Sequence, residues 1–95
     1  MHYLYILHSK SSDKYYIGET FDADIRLEKH NTHFYSNSFT KIAEDWTMVL
    51  QYQGETKESI LFLERFIKKM KSKKFIAKVI QNPDILTDIL LKRKN

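Results

Sequence analysis

The segment from Tyr3 to Leu7 constrains the fold most, because every one of its five residues is aromatic or aliphatic. Side chains alternate between the two faces of a strand, so a strand of this composition has to bury both faces. A central strand between two layers meets that requirement. With 95 residues, 42% of them hydrophobic, the chain is predicted to form a single domain (1–95) with one modest core.

Two further strands are predicted along the chain. Tyr15 to Ile17 follows a polar, turn-like segment and is expected to pair with the first strand in an antiparallel hairpin, ending at Gly18. Alternation then places Tyr16 and Gly18 on one face of the second strand. Trp46 to Tyr52 predicts the third strand, with three side chains on one face: Met48, Leu50 and Tyr52.

Helix signals fill most of the remaining chain. A capping residue or a proline stands at the start of each predicted helix: Asp22 to about His30, Thr56 to about Met70, from Ser72 onwards, and Pro83 to about residue 93. Residues 31–45 are polar and predict a long loop between the first helix and the third strand.

Charge is distributed unevenly. Residues 1–50 carry five basic and seven acidic residues, a net charge of −2, whereas residues 51–95 carry eleven and five, a net charge of +6. Seven basic residues and no acid lie in one stretch: Arg65, Lys68, Lys69, Lys71, Lys73, Lys74 and Lys78. Such a cluster can bind a phosphate backbone, although a solvated helix face gives the same pattern.

Several classes of function are disfavoured by composition. The absence of cysteine excludes disulfides, thiolate nucleophiles and cysteine zinc sites. The four histidines lack a third ligand at the spacing of a metal site. No apolar run approaches the roughly 18 residues of a membrane span, and the first residues lack the features of a signal peptide. We therefore expect a cytoplasmic protein without a membrane partner.

Several candidate functional residues each allow two interpretations when they are considered singly. Arg26 could bind a phosphate or pair with Asp22, four residues earlier. Glu64 could be a ligand of Mg²⁺ or the partner of Lys68 in an ordinary helical ion pair. The clustered tyrosines could transfer a proton or pack across strands. Gly18 could permit a close approach or simply end its strand.

Taken in order, these residues resemble the motifs of the GIY-YIG nuclease superfamily. The matching segments, at family spacings, are Tyr3-Leu4-Tyr5, Tyr16-Ile17-Gly18, Arg26 to Asn31, Phe39-Thr40-Lys41 and Glu64 to Lys68. The resemblance covers about residues 2–80 and is nearest to small single-domain bacterial members related to the excision-repair nuclease domain. Tyr3 replaces the first glycine of the family pattern, and Glu19 stands where excision-repair members have lysine.

The resemblance implies an α+β fold, a three-stranded antiparallel sheet flanked by helices. The helix predicted from Pro83, at about 83–93, is an extra C-terminal helix outside this shared core. It also implies a metal-dependent endonuclease of nucleic acid, DNA rather than RNA, with one Mg²⁺ or Mn²⁺ ion held by Glu64. By the same resemblance, Tyr5 takes a proton from the attacking water, Tyr16 and His30 position water or phosphate, and Arg26 stabilises charge in the transition state. Six lysines are expected to hold the flanking backbone: Lys41, Lys68, Lys69, Lys71, Lys73 and Lys74.

Two other functions compete with the nuclease. One is a non-catalytic nucleic-acid-binding module on the same fold, because fold does not determine function. The other is a structural or interaction domain that binds no nucleic acid. A small nuclease core can also depend on a protein partner for targeting. The sequence leaves substrate structure and oligomeric state open.

Overall fold

The computed structural model describes residues 2–21 and 45–93, and within these ranges it contains three strands and three helices. Their bounds are β1 His2–Ser9, β2 Lys14–Thr20, β3 Trp46–Gly54, α1 Lys57–Met70, α2 Lys73–Gln81 and α3 Asp84–Arg93. The helix predicted from Asp22, and almost all of the loop predicted after it, lie outside the described residues.

The strands form one antiparallel sheet in the order β2-β1-β3, so β1 is the central strand, as its composition predicts. The four residues from Leu4 to Leu7 are completely buried, because both faces of β1 are covered. Helices pack against this sheet. The predicted α+β class with a three-stranded antiparallel sheet is therefore confirmed.

Each face of the sheet has its own hydrophobic cluster. The helix-side cluster joins buried strand residues to the three helices: Leu4, Ile6, Ile17, Leu50, Ile60, Leu63, Ile67, Val79 and Leu86, with Tyr52 packed against them. The opposite cluster, here called the tyrosine face, consists of Tyr5, Leu7 and Trp46 with Tyr16 and Met48 at its margin. The alternation of β1 thus separates its aliphatic residues from Tyr5.

A β-bulge in β3 changes which side chains share a face. Ile6 pairs with Leu50 but the next residue, Leu7, pairs with Met48, which leaves Val49 as the extra residue. One extra residue shifts the alternation by one position. Met48 therefore joins the tyrosine face while Leu50 packs on the helix side, and the prediction that they share one face is wrong.

The caps of α1 and α2 agree with the sequence. The hydroxyl of Thr56 accepts a hydrogen bond from the Ser59 backbone N–H (3.1 Å), and that of Ser72 accepts one from the Phe75 N–H (3.1 Å). Each bond satisfies an N–H that has no partner within its helix. Between the helices, Lys71 takes the left-handed conformation (φ 49°) and turns the chain sharply. The two helices consequently meet at a tight corner.

The last helix is part of the core. α3 begins directly after Pro83 and contributes Leu86, which is completely buried. The Tyr52 hydroxyl and the Thr87 hydroxyl are hydrogen-bonded at 2.8 Å, which links α3 to β3. Among the described helices, none combines the length and apolarity needed to cross a membrane.

Candidate active site

Tyr5 and Gly18 face each other across β1 and β2. A Cβ atom added to Gly18 would lie 2.6 Å from Cζ and 3.0 Å from Cε1 of Tyr5, closer than side chains tolerate. The glycine is therefore required because the Tyr5 ring lies against its backbone. Its φ is not positive, so the requirement is one of space and not of backbone conformation. Gly18 also lies inside β2, which continues to Thr20, and the prediction that it ends the strand is wrong.

The two motif tyrosines are brought together on the tyrosine face. The ring centroids of Tyr5 and Tyr16 are 6.2 Å apart, with the ring planes tilted by 35°. Tyr16 is opposite Leu7 in the sheet, so the two tyrosines are diagonal neighbours across the strands. This confirms that Tyr16 and Gly18 share one face. Tyr5 is completely buried and Tyr16 is partly exposed.

Apolar side chains surround this pair. Leu7 and Trp46 are buried beside Tyr5, and Met48 packs at the margin. Charges and dipoles act more strongly in such surroundings than in water, because the effective dielectric is lower. A phenol placed here is held in one orientation and is sensitive to any charge brought close to it.

Glu64 is held on α1 by an ion pair. Its side chain is 18% exposed, and its Oε2 atom accepts a hydrogen bond from the Lys68 ammonium at 2.9 Å. The helical pair that the sequence offered as an alternative is therefore present. The bond engages one of the two carboxylate oxygens, so it does not by itself remove Glu64 as a metal ligand.

Glu64 lies on α1, whereas the two motif tyrosines lie on the sheet. The rings of Phe62, Phe66 and Phe75 form a row with 6.2 Å between neighbouring centroids and tilts of 40° and 51°, which marks the flank of α1 that faces α2. Glu64 follows Phe62 by two residues, about 200° around the helix, and so lies on the other flank. α1 packs over β1 and β2 through the helix-side cluster. The structure thus joins Tyr5, Tyr16 and Gly18 and places Glu64 on a helix against the opposite face.

Five of the six predicted lysines lie where α1 meets α2, at a surface we call the basic corner (residues 68–78). Lys68 bonds to Glu64, and Lys73 bonds to the Asp13 carboxylate at 2.7 Å. Lys73 and His8 lower the pKa of the Asp13 carboxyl by hydrogen-bonding to it. The exposed side chains of three others contact no carboxylate of the described residues: Lys69, Lys71 and Lys74. These three remain available to an anionic ligand.

Comparison with protein families decides the identity of this domain. The family model described as the GIY-YIG catalytic domain matches residues 1–77, most of the chain. The chain belongs to the GIY-YIG family. Comparison with curated proteins gives no match, and comparison with solved structures gives none. In this GIY-YIG protein α3 lies beyond the matched residues, although Leu86 completes the same core.

GIY-YIG nucleases generally use a divalent metal, and the residues of this chain can be tested against that need. The described residues contain no group of three or more His, Asp or Glu side chains able to enclose an ion. Mg²⁺, however, commonly takes one or two carboxylates and fills its other positions with water and substrate phosphate. Glu64, partly exposed and with a second carboxylate oxygen, fits that kind of site.

The residue after the second GIY-YIG motif has a local role. Glu19 stands where excision-repair members have lysine, and its Oε2 atom lies 3.0 Å from Nε2 of His2. The two residues are on neighbouring strands near the end of the sheet. The carboxylate is therefore used in a contact between strands at this position.

One polar network was not predicted. Asp45 accepts hydrogen bonds from the Ser9 hydroxyl (2.6 Å), the Ser11 backbone N–H (2.9 Å) and the Ser11 hydroxyl (2.9 Å). The Ser9 hydroxyl first, and then the Ser11 N–H, lower the pKa of Asp45 to about 2. The network ties the start of β3 to the hairpin and so fixes Trp46 on the tyrosine face. Its members are 34 or 36 residues apart, and no local pattern indicates it.

The remaining predicted site residues lie outside the described residues: Arg26, His30 and Lys41.

Proposed function

We propose that this protein is a divalent-metal-dependent endonuclease that hydrolyses phosphodiester bonds of DNA. The observation that carries the proposal is the buried Tyr5 ring held against Gly18 beside Tyr16, within a GIY-YIG domain. Family membership supplies the reaction class. DNA is proposed as substrate because the motifs are most similar to those of the small single-domain bacterial members related to the excision-repair nuclease domain.

Tyr5 is proposed to accept the proton of the attacking water, directly or through solvent. A phenol ordinarily has a pKa near 10, so a cation brought close to it has to favour the phenolate. The ring is already held against Gly18 in one orientation, and because Tyr5 is completely buried, water has to gain access to the phenol before this step. Tyr16 lies next to it and is proposed to position the water or the phosphate.

Glu64 is proposed to hold a single Mg²⁺ or Mn²⁺ ion, and because α1 packs on the face of the sheet opposite Tyr5, the substrate has to reach both residues past the edge of the sheet. When bound, the ion supplies positive charge that polarises the phosphate and stabilises the leaving oxygen. The existing bond to Lys68 is a weak competitor, because an exposed helical pair of this kind contributes only about 0.3–0.5 kcal/mol. Lys68 can then turn to the phosphate backbone.

Three residues enter the proposal from sequence alone. Arg26 is assigned to stabilise charge in the transition state, and His30 to position water or phosphate. Lys41 is assigned to the flanking backbone together with the basic corner, whose contacts are expected to weaken as salt is raised.

The test is a cleavage assay on single-stranded, duplex and branched DNA and RNA, with Mg²⁺, with Mn²⁺ and with EDTA. We expect metal-dependent products from DNA, and we expect Glu64→Gln to abolish them while binding is retained. Glu58→Gln is the matched control, because Glu58 is on the same helix and also forms an ion pair, with Arg93. If Glu64→Gln cleaves as fast as the Glu58→Gln control, the metal assignment is wrong.

A non-catalytic nucleic-acid-binding module is the second candidate. It is favoured by the Lys68 ion pair, which engages Glu64, and by the exposed lysines of the basic corner. Salt-sensitive binding that gives no product with any divalent ion would support this function over the nuclease.

A further inference from the structure

A shallow groove of about 560 Å³ runs along α2 within the basic corner. Six of the described residues line it: Ser72, Lys74, Phe75, Ala77, Lys78 and Gln81. Its wall combines one aromatic ring, two ammonium groups and two uncharged polar side chains, and it contains no carboxylate.

Phe75 is the apolar part of the groove and is only partly buried. Its ring is supported by the ring of Phe66, with centroids 6.2 Å apart. Its backbone N–H donates to the Ser72 hydroxyl at the helix cap. The ring is therefore held in place by its own backbone, by α1 and by the helix-side cluster against which it packs, and its exposed part lines the groove.

The charged side chains that line the groove around Phe75 are both basic. Lys74 and Lys78 are exposed and are separated by four residues, about 6 Å along the helix axis. This spacing allows the two ammonium groups to contact successive phosphates of one strand. No described carboxylate forms an ion pair with either lysine, and no acidic residue occurs between Arg65 and Lys78.

We propose that this groove binds an unpaired nucleotide of the nucleic-acid substrate, with its base on Phe75 and its phosphates at Lys74 and Lys78. An aromatic platform beside cations is the combination by which proteins hold single strands, because every base has a face that can stack. A paired base inside a duplex does not expose that face. The amide of Gln81 can in addition hydrogen-bond a base edge. The inference rests on the proposed nucleic-acid substrate and specifies a duplex carrying a single-stranded segment.

The experiment measures binding by the full chain in EDTA, so that cleavage does not interfere. The probes are a blunt DNA duplex and the same duplex with a short overhang that contains 2-aminopurine, whose fluorescence reports stacking. We expect the overhang to bind more tightly than the blunt duplex and its fluorescence to be quenched. Phe75→Leu should weaken overhang binding by about five- to a hundredfold and leave blunt-duplex binding unchanged.

Matched variants separate stacking from folding. Phe62→Leu removes a ring from the same row, away from the groove, and should bind both probes like the parent. Lys74→Gln and Lys78→Gln should each lower the slope of log affinity against log salt by about 0.7 for a single strand. Lys92→Gln on α3 is the charge control and should leave that slope unchanged. Thermal melting checks that each variant is folded.

Three results would overturn the inference. Equal overhang binding by Phe75→Leu and the parent would remove the stacking role. An equal loss on both probes would mean that Phe75 acts through general structure. If polyglutamate of equal charge displaces the overhang equally well from the parent and from Phe75→Leu, the groove is a general anion surface. If the parent protein cleaves DNA but Phe75→Leu binds the overhang as the parent does, the groove assignment alone is refuted. If binding depends on Phe75 but no DNA is cleaved, only the nuclease proposal is refuted.

Discussion

Substitution of Gly18 by alanine tests how tightly the Tyr5 ring is held. The added Cβ would lie 2.6 Å from Cζ of Tyr5, and ordinary van der Waals contact begins at 3.4 Å. The ring, which is completely buried, therefore has to move by about 0.8 Å or push its strand aside. Either response affects the group proposed to accept the proton.

The expected change in the free energy of unfolding of Gly18→Ala is the sum of two opposing contributions. Forcing extra volume into a packed site costs about 1–3 kcal/mol. Because the φ of Gly18 is not positive, alanine fits the backbone and gains about 0.4–1 kcal/mol by restricting the unfolded chain. We expect a net loss of about 1–2 kcal/mol, or about 4–16 °C in melting temperature. A displacement of this size at the reacting group is expected to slow cleavage by about a hundredfold.

Gly54→Ala is the matched control for this substitution. A Cβ at Gly54 would meet Cδ1 of Ile60 at 2.6 Å, on the helix side of the sheet. It should lower stability without moving Tyr5, so cleavage by the folded protein should stay near the parent rate. Urea unfolding and single-turnover cleavage, measured on both variants, separate the two effects.

The reasoning also predicts coupling between Gly18 and Tyr5. The phenol oxygen is the Tyr5 atom nearest to a Cβ at Gly18, and Tyr5→Phe removes it. Gly18→Ala should therefore lower the free energy of unfolding less in the Tyr5→Phe background than in the parent. If Gly18→Ala is as stable and as active as the parent, or if its cost is the same in both backgrounds, the steric explanation of the glycine is refuted.

Two further predictions concern stability. The bonds from Ser9 and Ser11 lower the pKa of Asp45 from 3.8 to about 2, so their contribution is present above pH 3.8 and is lost as the pH falls towards 2. The melting temperature of the parent should therefore exceed that of Asp45→Asn above pH 3.8, and the difference should shrink near pH 2; a constant difference would contradict the assignment. Leu86→Ala should cost about 2–5 kcal/mol in urea unfolding because Leu86 is completely buried, whereas a cost within 0.5 kcal/mol, about that of a surface substitution, would show that α3 is not part of the core.

Features set by neighbouring residues could be predicted from the sequence. The caps at Thr56 and Ser72 depend on residues three positions away, and both are present. The central position of β1 follows from its composition alone. The shared face of Tyr16 and Gly18 follows from alternation within one strand.

Features set by pairing between distant segments could not be predicted. The bulge at Val49 depends on how β3 pairs with β1, so strict alternation assigned Met48 to the wrong face. The contact between Tyr5 and Gly18 requires the register of the hairpin as well as its faces. Asp45 meets Ser9 across 36 residues, a distance over which no local pattern acts.

The bulge in β3 allows one strand to serve two independent functions. The residues before Val49 contribute Trp46 and Met48 to the apolar surroundings of the tyrosines. The residues after Val49 contribute Leu50 to the packing of the helices. Evolution or a designer can therefore alter the first half to reshape the surroundings of Tyr5 while leaving the scaffold intact. Deleting Val49 would remove the bulge and make Met48 and Leu50 adjacent in sequence, and their side chains would still lie on opposite faces.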